Sequence, residues 1–272
     1  MKVKLVGVFA HPDDDSYLIG GTLLLHRGRV EPALVFATSG EAGPIASPTL
    51  ATRRTLGAVR EGEQRAFLEA IGYPDAPVRF LRHPDYRLPQ VPFEQLVGEV
   101  EAVLRQLRPQ VVVSFGPDGL TSHHDHVRTG EAAAEAFRRA RTADREPADA
   151  FLRLYQAAYP RSAVDRFYEG VRAGRFNYGE EGRLFDITGV PDERIAVRVD
   201  TRSVRDRKWA AILRHRTQLP EHERIPEPLR WIVLDAECFV QAYPPREPGG
   251  ALLGDPLDGI EISAAGGRTV QG

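Results

Sequence analysis

The N-terminal half of this 272-residue chain alternates short β-branched runs with segments of helical period, and this alternation is what most constrains its fold. The strand candidates are Val3–Phe9, 33–37, 78–81 and Val111–Phe115. Apolar residues recur at helical spacing over Phe93–Leu107 and over 56–71, so both segments are predicted to be amphipathic helices. The pattern is typical of an α/β fold. It predicts a Rossmann-like, mostly parallel sheet with helices on both faces and an active site at the C-terminal strand ends.

The second half of the chain is less regular. Residues 161–186 are rich in Arg, Gly and aromatic residues and lack a clean period, so we predict an irregular excursion or lid there. Strand-like or helical patterns return over 195–199, 203–215 and 238–243. The Gly- and Pro-rich chain after Pro244 is predicted to be loosely packed at the surface. We therefore expect a single domain over 1–244 and a C-terminal tail over 245–272.

Charge and cysteine content argue against several classes of partner. The chain has 36 Lys and Arg against 38 Asp and Glu, a formal net charge of -2, so no overall field favours nucleic acid or an anionic membrane. No apolar run reaches the roughly 20 residues that a membrane span needs. Cys238 is the only cysteine and cannot form an intramolecular disulfide, so we expect a cytoplasmic protein that binds a small molecule. Assembly into a homo-oligomer is left open, because it requires no sequence motif.

Acidic residues and a histidine crowd the point where the first predicted strand ends. The chain reads Ala-His-Pro-Asp-Asp-Asp over residues 10–15, and a helical pattern begins near Ser16. Adjacent carboxylates repel one another unless a counter-charge is present, and a divalent cation would supply it. The simpler alternative is that one Asp caps the helix while the others lie in solvent. The second polar cluster of the chain favours the cation.

That second cluster follows the predicted strand Val111–Phe115. It reads Ser-His-His-Asp-His over residues 122–126 and contains three of the eight histidines of the chain. The carboxyl ends of parallel strands meet at one edge of a sheet, so the two clusters are predicted to lie together. One His and one Asp from the first cluster with one His from the second would leave a coordination position open for water, as catalytic zinc requires. A closed Cys-rich zinc site is excluded, because Cys238 is alone.

The two motifs resemble the signatures A-H-P-D-D-E and G-H-P-D-H of the LmbE-like, or PIG-L, N-acetylglucosaminyl deacetylases, a zinc-dependent family with bacterial members in mycothiol and bacillithiol pathways. The resemblance implies that His11, Asp14 and His126 ligate zinc. It implies that Asp13 is the general base, which takes a proton from the zinc-bound water. It also implies that His123, if protonated, stabilises the oxyanion and passes a proton to the departing amine.

Further residues match the family more weakly. Asp125 is placed to orient a neighbouring histidine by accepting a hydrogen bond. By resemblance, Arg60 and Asp85 bind sugar hydroxyls, and Arg60 also reaches any acidic aglycone. Ion pairing at the surface or within a helix is the alternative for both residues. The likeness extends along the chain to about Glu237.

The chain departs from the family pattern at three places. Asp15 stands where the family has Glu, which shortens a side chain expected to support the ligands without touching the metal. His124 and Ser122 replace the usual Pro and Gly, so His124 is a further candidate ligand beside the preferred His126. A tyrosine that some members place just before this motif is absent. The acid role therefore depends more heavily on His123.

The expected function is hydrolysis of the N-acetyl group of a GlcNAc-type conjugate, with the aglycone left open among inositol, malate and other groups. Iron or another divalent metal is an alternative to zinc. Two other functions fit the same residues. A non-haem Fe(II) oxygenase uses a similar His₂Asp triad, but we expect such sites in all-β barrels. A non-catalytic metal- or carbohydrate-binding module would have no need of a free carboxylate beside the metal.

Overall fold

Seven strands form one sheet in the computed structural model, which describes residues 2–145, 148–174, 187, 189–219, 225–247 and 249–260. In chain order the strands are β1 (Val3–Phe9), β2 (Val30–Phe36), β3 (Val78–Phe80), β4 (Val111–Phe115), β5 (Arg153–Ala157), β6 (Val197–Asp200) and β7 (Ala236–Tyr243). Their order across the sheet is β3-β2-β1-β4-β5-β7-β6. The first five strands are parallel, and β7 runs antiparallel between β5 and β6. The predicted α/β fold with a mostly parallel sheet is confirmed.

Nine α-helices accompany the sheet within the described ranges. They are α1 (Asp14–Leu18), α2 (Gly20–Leu25), α3 (Leu56–Ala70), α4 (Phe93–Leu107), α5 (Gly119–Ser122), α6 (His124–Ala143), α7 (Arg161–Ala173), α8 (Arg205–Ile212) and α9 (Glu227–Leu234). The pair α4 and α6 packs on one face against β1 and β4, while α1, α2, α3 and α8 pack together on the other face. Of the helices described, none combines the length and the apolar character needed to cross a bilayer.

The central elements lie where the sequence pattern predicts them. The bounds of β1, β4 and α4 are those expected. The strand β2 begins earlier than expected, at Val30, and includes Pro32. Proline donates no hydrogen bond and is tolerated mainly at strand edges. Pro32 lies in the part of β2 that extends beyond β3, since β3 pairs only with residues from Leu34 to Phe36. The start of β2 has no partner on its β3 side, which lets a proline stand in the strand and hides the start of the strand in the sequence.

The strand order reverses at β1. The chain builds β1, β2 and β3 in one direction and then crosses over to place β4 on the other side of β1. At such a switch point the two crossover connections diverge, and a crevice opens beyond the carboxyl ends of the strands. His11 follows β1, and His126 lies on α6, which comes after β4 and the short helix α5. The fold therefore brings the two sequence clusters together, as predicted.

The helix α6 approaches β4 closely at Gly130. A Cβ atom on Gly130 would lie 2.7 Å from the carbonyl oxygen of Phe115, so only glycine permits this distance. The ring of Phe115 stacks on that of His126, with centroids 4.2 Å apart and planes 5° from parallel. The close approach of helix and strand thus sets the height of His126 above the end of the sheet.

The prediction of irregular chain over 161–186 was wrong for its first half. Arg161–Ala173 form α7, in which Val164 and Phe167 are buried, and Phe167 packs with Leu229 of α9. Apolar side chains three and four residues apart form a stripe along this helix. The prediction treats 161–186 as one segment, and the Gly- and Arg-rich residues after Ala173 break the period that is present before it. Residues 175–186, where the excursion or lid was also predicted, lie outside the described residues.

Part of the chain after Pro244 packs against the domain. Leu257 is 2% exposed and belongs to the main hydrophobic core. The backbone of Leu253 bridges to β6. The prediction of a loose tail was therefore wrong around Leu253 and Leu257, because isolated apolar residues in a Gly- and Pro-rich stretch give no periodic signal. Residues 261–272 lie outside the described residues.

A buried ion pair joins α8, β7 and α2. The side chains of Lys208 and Glu237 are 0% and 1% exposed, and Nζ of the lysine lies 2.7 Å from Oε1 of the glutamate. The backbone N–H groups of Gly21 and Thr22 each donate to the Glu237 carboxylate at 2.7 Å. Lys208 also donates to the carbonyl of Tyr17 at 2.8 Å. The carboxylate therefore caps the amino end of α2 and ties it to α1, which begins at the first acidic cluster.

We expect Glu237→Gln to lower the free energy of unfolding by about 3–5 kcal/mol. The substitution leaves Lys208 buried without its counter-charge and turns an amide donor towards backbone N–H groups that need an acceptor. Urea unfolding followed by circular dichroism measures the change. Asp200→Asn is the matched control, because Asp200 pairs with Arg202 where both side chains are more than half exposed, at 57% and 69%. Its unfolding midpoint should stay nearly unchanged. Equal losses of unfolding free energy in the two variants would contradict a stabilising role for the buried pair of Lys208 and Glu237.

Candidate active site

The turn that joins β1 to α1 is strained at Asp13. This residue has a φ of 128°, in the region of backbone conformation that favours glycine. Its carbonyl accepts hydrogen bonds from the backbone N–H and the hydroxyl of Ser16, at 2.9 and 2.5 Å. Strain of this kind persists only where the surroundings impose it, and it is common at functional sites. As a result, Asp13 and Asp14 both line the cavity at the end of the sheet.

His11 lies beside two carboxylates. Its Nε2 is 3.1 Å from Oδ1 of Asp85 and 3.5 Å from Oδ2 of Asp125. Burial lowers the pKa of His11, but the hydrogen bonds with Asp125 and Asp85 outweigh burial and raise it to about 10. Burial raises the pKa of Asp85, whereas its hydrogen bond with His11 lowers it to about 2. Because Nε2 faces these carboxylates and keeps its proton, Nδ1 is the nitrogen of His11 that could give up a proton to a metal ion.

His126 presents its free nitrogen to the same point. Its Nδ1 is 3.0 Å from the carbonyl oxygen of Gly119 and donates to it, which leaves Nε2 with an unshared electron pair. That Nε2 lies 3.2 Å from Nδ1 of His11. Two electron pairs that face each other at this distance repel unless a proton or a metal ion lies between them. The donor set therefore fits a metal ion.

Asp14 adds an oxygen donor to the two nitrogens. Its Oδ1 lies 3.3 Å from Nε2 of His126, and its Oδ2 lies 3.7 Å from Nδ1 of His11. Burial raises the pKa of Asp14, but the charges of His126 and His11 outweigh burial and hold the pKa below its usual range. Two imidazoles and one carboxylate are a ligand set of the kind that catalytic zinc uses.

His123 lies next to this set. One ring nitrogen from each of His11, His123 and His126 lies within 4.8 Å of the others, so His123 is a further candidate ligand. The backbone N–H of Asp125 donates to Nδ1 of His123 at 3.2 Å, which places the proton of a neutral ring on Nε2. Burial and the neighbouring His11 and His126 lower the pKa of His123 to about 4. Protonation of His123, the condition for the acid role in the sequence analysis, is therefore disfavoured here.

His124 points elsewhere. Its Nε2 is 2.9 Å from the carbonyl oxygen of Tyr86, and its side chain is 40% exposed. The ring of Tyr86 meets the rings of His123 and His124 edge-on, with centroids 5.1 and 4.6 Å apart. Tyr86, Leu120 and Ser122 all have positive φ, as Asp13 does. The loops around the site thus have unusual backbone conformations. His124, the further candidate ligand, forms a hydrogen bond with a loop carbonyl.

Arg60 is buried and holds Asp13. Its Nη2 lies 3.2 Å from Oδ2 of Asp13. The same group donates to the carbonyl of Pro12 at 2.8 Å, and Nη1 donates to that of Gly40 at 2.9 Å. The guanidinium therefore fixes the Asp13 carboxylate and links the first cluster to the loop after β2. In this structure Arg60 pairs with Asp13, and Asp85 pairs with His11. Direct contact of either residue with a sugar stays a prediction.

Asp15 lies behind the candidate ligands with no exposed surface, and it accepts a hydrogen bond from Nε2 of Gln64 at 2.8 Å. Burial, together with the carboxylates of Asp14 and Asp13, raises the pKa of Asp15 well above its usual range. Asp15 is therefore placed to support the candidate ligands without being one of them, as the sequence predicts. Sequence reasoning missed Gln64, because a single glutamine one turn after Arg60 on a helix forms no pattern.

A cavity of about 540 Å³ contains the site. Among its described lining residues are His11, Asp13, Asp14, Arg60, Asp85, His123 and His126, which the sequence had singled out. Much of the remaining wall is apolar and comes from Tyr17, Leu18, Tyr159, Phe167, Ile225 and Val233. Sequence reasoning missed this wall, since its members belong to four separate segments of the chain. Asp125 does not line the cavity and contacts it through His11.

Fold and site together define an α/β protein with a histidine and aspartate group suited to a metal ion at the switch point of its sheet. The chain belongs to the PIG-L family, whose profile, described as GlcNAc-PI de-N-acetylase, matches residues 6–137. It is 31% identical over 242 residues to the 1D-myo-inositol 2-acetamido-2-deoxy-alpha-D-glucopyranoside deacetylase of Acidothermus cellulolyticus, covering 79% of this chain and 80% of the relative. The family predicted from the two motifs is confirmed.

Two solved structures share the fold. The 4-carboxy-2-hydroxymuconate hydratase of Pseudomonas putida KT2440 matches with a TM-score of 0.59 and 22% identity, covering 92% of this chain and 100% of its own. The N,N'-diacetylchitobiose deacetylase of Pyrococcus horikoshii matches with a TM-score of 0.58 and 18% identity, covering 90% and 84%. One is a hydratase and the other a deacetylase, so the fold alone does not select the reaction. An α/β sheet also differs from the barrel expected of an oxygenase, and that alternative is not favoured.

The placement of Arg60 can be tested at Gly40. This glycine has a φ of 66°, and a Cβ atom there would collide with the Arg60 guanidinium. We expect Gly40→Ala to lower the free energy of unfolding by more than about 1 kcal/mol, measured by urea unfolding. Gly62→Ala on α3 is the control, because a Cβ atom there meets nothing within 4 Å. It should stabilise the protein by about 0.5–1 kcal/mol. Stabilisation by both variants would contradict the close packing of Arg60 on Gly40.

Proposed function

We propose that this protein removes the N-acetyl group from a GlcNAc-type conjugate by metal-dependent hydrolysis. The observation that carries the proposal is the Asp13 carboxylate, which Arg60 holds at 3.2 Å while the nitrogens of His11 and His126 converge nearby. A carboxylate fixed by an arginine beside a ligand set is suited to take a proton from water. The relative from Acidothermus cellulolyticus, which is named as a deacetylase of an acetamido sugar, supports the same reaction.

We infer that the metal is zinc. Nδ1 of His11, Nε2 of His126 and the Asp14 carboxylate would hold it, and three such ligands leave room for water and substrate. When bound, the metal lowers the pKa of a water molecule to about 7 and polarises the acetyl carbonyl. Iron or another divalent ion suits nitrogen and oxygen donors as well, so metal analysis of the purified protein decides between them.

The remaining polar residues have separate roles in the proposed reaction. Asp13 accepts a proton from the attacking water and returns it to the amine nitrogen as the C–N bond breaks, so the protons balance. His123, neutral with its proton on Nε2, donates a hydrogen bond to the oxygen of the tetrahedral intermediate. Asp85 and Asp125 orient His11 by accepting from its Nε2, which keeps Nδ1 turned towards the site.

We also propose that the protein acts in the cytoplasm on a small-molecule N-acetylated sugar. Two features of the chain support this setting. Its charges nearly balance, which offers no general attraction for a polyanion. Its one cysteine, Cys238, is buried and unpaired, as is usual in a reducing compartment. The substrate would then be recognised locally, inside the cavity.

Metal binding by variants tests the ligand set. We expect His126→Ala and Asp14→Asn each to weaken zinc affinity by more than about tenfold, because each removes a donor from the site. Competition with a chromophoric chelator measures the affinity. His83→Gln is the control, since His83 pairs with Glu99 at 2.6 Å and does not line the cavity. If His123→Gln loses zinc as fully as His126→Ala while Asp14→Asn retains it, His123 replaces Asp14 in the ligand set.

Acetate release tests the reaction itself. We expect zinc-loaded Asp13→Asn to retain its metal and to lose activity by about 100- to 10,000-fold on a panel of GlcNAc conjugates, because it lacks the base. Asp75→Asn, at an exposed position outside the cavity, should match the wild type. A metal-loaded wild type that releases no acetate from any conjugate would contradict the proposal. Other amides, or a binding module indifferent to Asp13, would then explain the site better.

A further inference from the structure

The apolar wall of the cavity has its own support in the fold. Phe167, Ile225 and Leu229 form a hydrophobic cluster, apart from the main core, where α7 and α9 pack against each other. Phe167, Ile225 and the neighbouring Val233 also line the cavity. The helix pair therefore turns apolar side chains towards the same space as the candidate catalytic residues. Such a surface gains free energy when an apolar group covers it.

The charges of the cavity disfavour an anionic group beside this wall. Among the described residues that line the cavity, Arg60 is the only Arg or Lys. Its Nη1 and Nη2 already donate to backbone carbonyls, and Asp13 is its ion-pair partner. Asp14 and Asp85 add further carboxylates to the lining. Among the described lining residues, a malate or phosphate group would thus find no arginine or lysine that is not already engaged within the protein.

A polyol is also poorly matched to the wall formed by α7 and α9. Phe167, Ile225 and Val233 offer no side-chain donor or acceptor to a hydroxyl group. Each hydroxyl that loses water without a new partner weakens binding, whereas each methylene buried on such a wall strengthens it by up to about fourfold. Inositol and malate, the aglycones considered from the sequence, therefore suit this wall less well than an alkyl or aryl group.

We propose that the N-acylated sugar taken by this site carries a neutral, apolar substituent that packs against α7 and α9. The inference rests on the proposed deacetylase function and specifies its substrate class. The substituent is either the group on the anomeric carbon or an N-acyl chain longer than acetyl. Both present the same chemistry to the wall, and a comparison of matched substrates distinguishes them.

The test compares matched substrates with zinc-loaded wild-type protein, by release of the free amine. The first arm compares octyl with methyl N-acetylglucosaminide, and the second compares N-octanoyl with N-acetyl methyl glucosaminide. We expect kcat/KM to favour the octyl or octanoyl compound by at least about tenfold in one arm, which also identifies the position of the substituent. A malate conjugate should be no better than the methyl glycoside. Equal kcat/KM values in both arms, or a preference for malate, would overturn the inference.

A matched pair of variants links the preference to the wall. Val233→Thr keeps the side-chain volume and places a hydroxyl in the cavity lining. It should reduce the preference by roughly threefold or more, because the hydroxyl must lose water when the chain binds. Val171→Thr makes the same change in the same cluster at a residue that does not line the cavity, and it should leave the preference unchanged. The ratio of kcat/KM for two substrates is insensitive to the folded fraction and to metal loading. Equal ratios in the two variants would contradict binding of the apolar substituent to the wall formed by α7 and α9.

Binding without turnover separates this inference from the proposed function. Calorimetry on zinc-loaded Asp13→Asn measures the affinities for the octyl and methyl glycosides. Tighter binding of the octyl compound, with no hydrolysis by the wild type, would overturn the reaction and keep the apolar ligand. Hydrolysis of every glycoside at one kcat/KM, with equal affinities, would keep the reaction and overturn the apolar substrate class.

Discussion

The site depends on the close approach of two imidazole rings, with Nδ1 of His11 only 3.2 Å from Nε2 of His126. Each ring is held by a hydrogen bond from its other nitrogen, to Asp85 for His11 and to the Gly119 carbonyl for His126. Their unshared pairs then converge, with the Asp14 carboxylate alongside. Such a set is stable only around a positive charge. The surrounding carboxylates and the strained loops are consistent with a cavity organised to hold one.

The fold supplies the meeting point but not the reaction. At the switch between β1 and β4 the ends of two parallel strands deliver both clusters to one crevice. A hydratase and a deacetylase share this fold with the chain, so the chemistry must lie in particular side chains. Here the distinctive feature is Asp13, turned into the cavity by a strained backbone and held by a buried arginine. The ion pair of Lys208 and Glu237 keeps the neighbouring helices in place.

Much of this protein could be predicted from local patterns. The β-branched runs predicted β1 and β4, and the helical period predicted α4, because those segments are buried along their whole length or along one clear face. The two histidine motifs predicted which residues would meet at the sheet edge. Elements with a weak or broken pattern were misjudged. The apolar stripe of α7 was overlooked because the period breaks in the residues that follow it, and the packing of Leu257 had no periodic signal at all.

The sequence by itself determined the family, the α/β class and the chemical types gathered at the strand ends, because these features lie in runs of adjacent residues. Only the tertiary structure decided how they pair. It turned Nε2 of His11 towards Asp85 and Nδ1 of His126 towards the Gly119 carbonyl, engaged Arg60 with Asp13 inside the protein, and lowered the pKa of His123 through burial. It also assembled an apolar wall from α7 and α9. These outcomes follow from packing between segments that are distant along the chain, and no local periodicity encodes which distant side chains will touch.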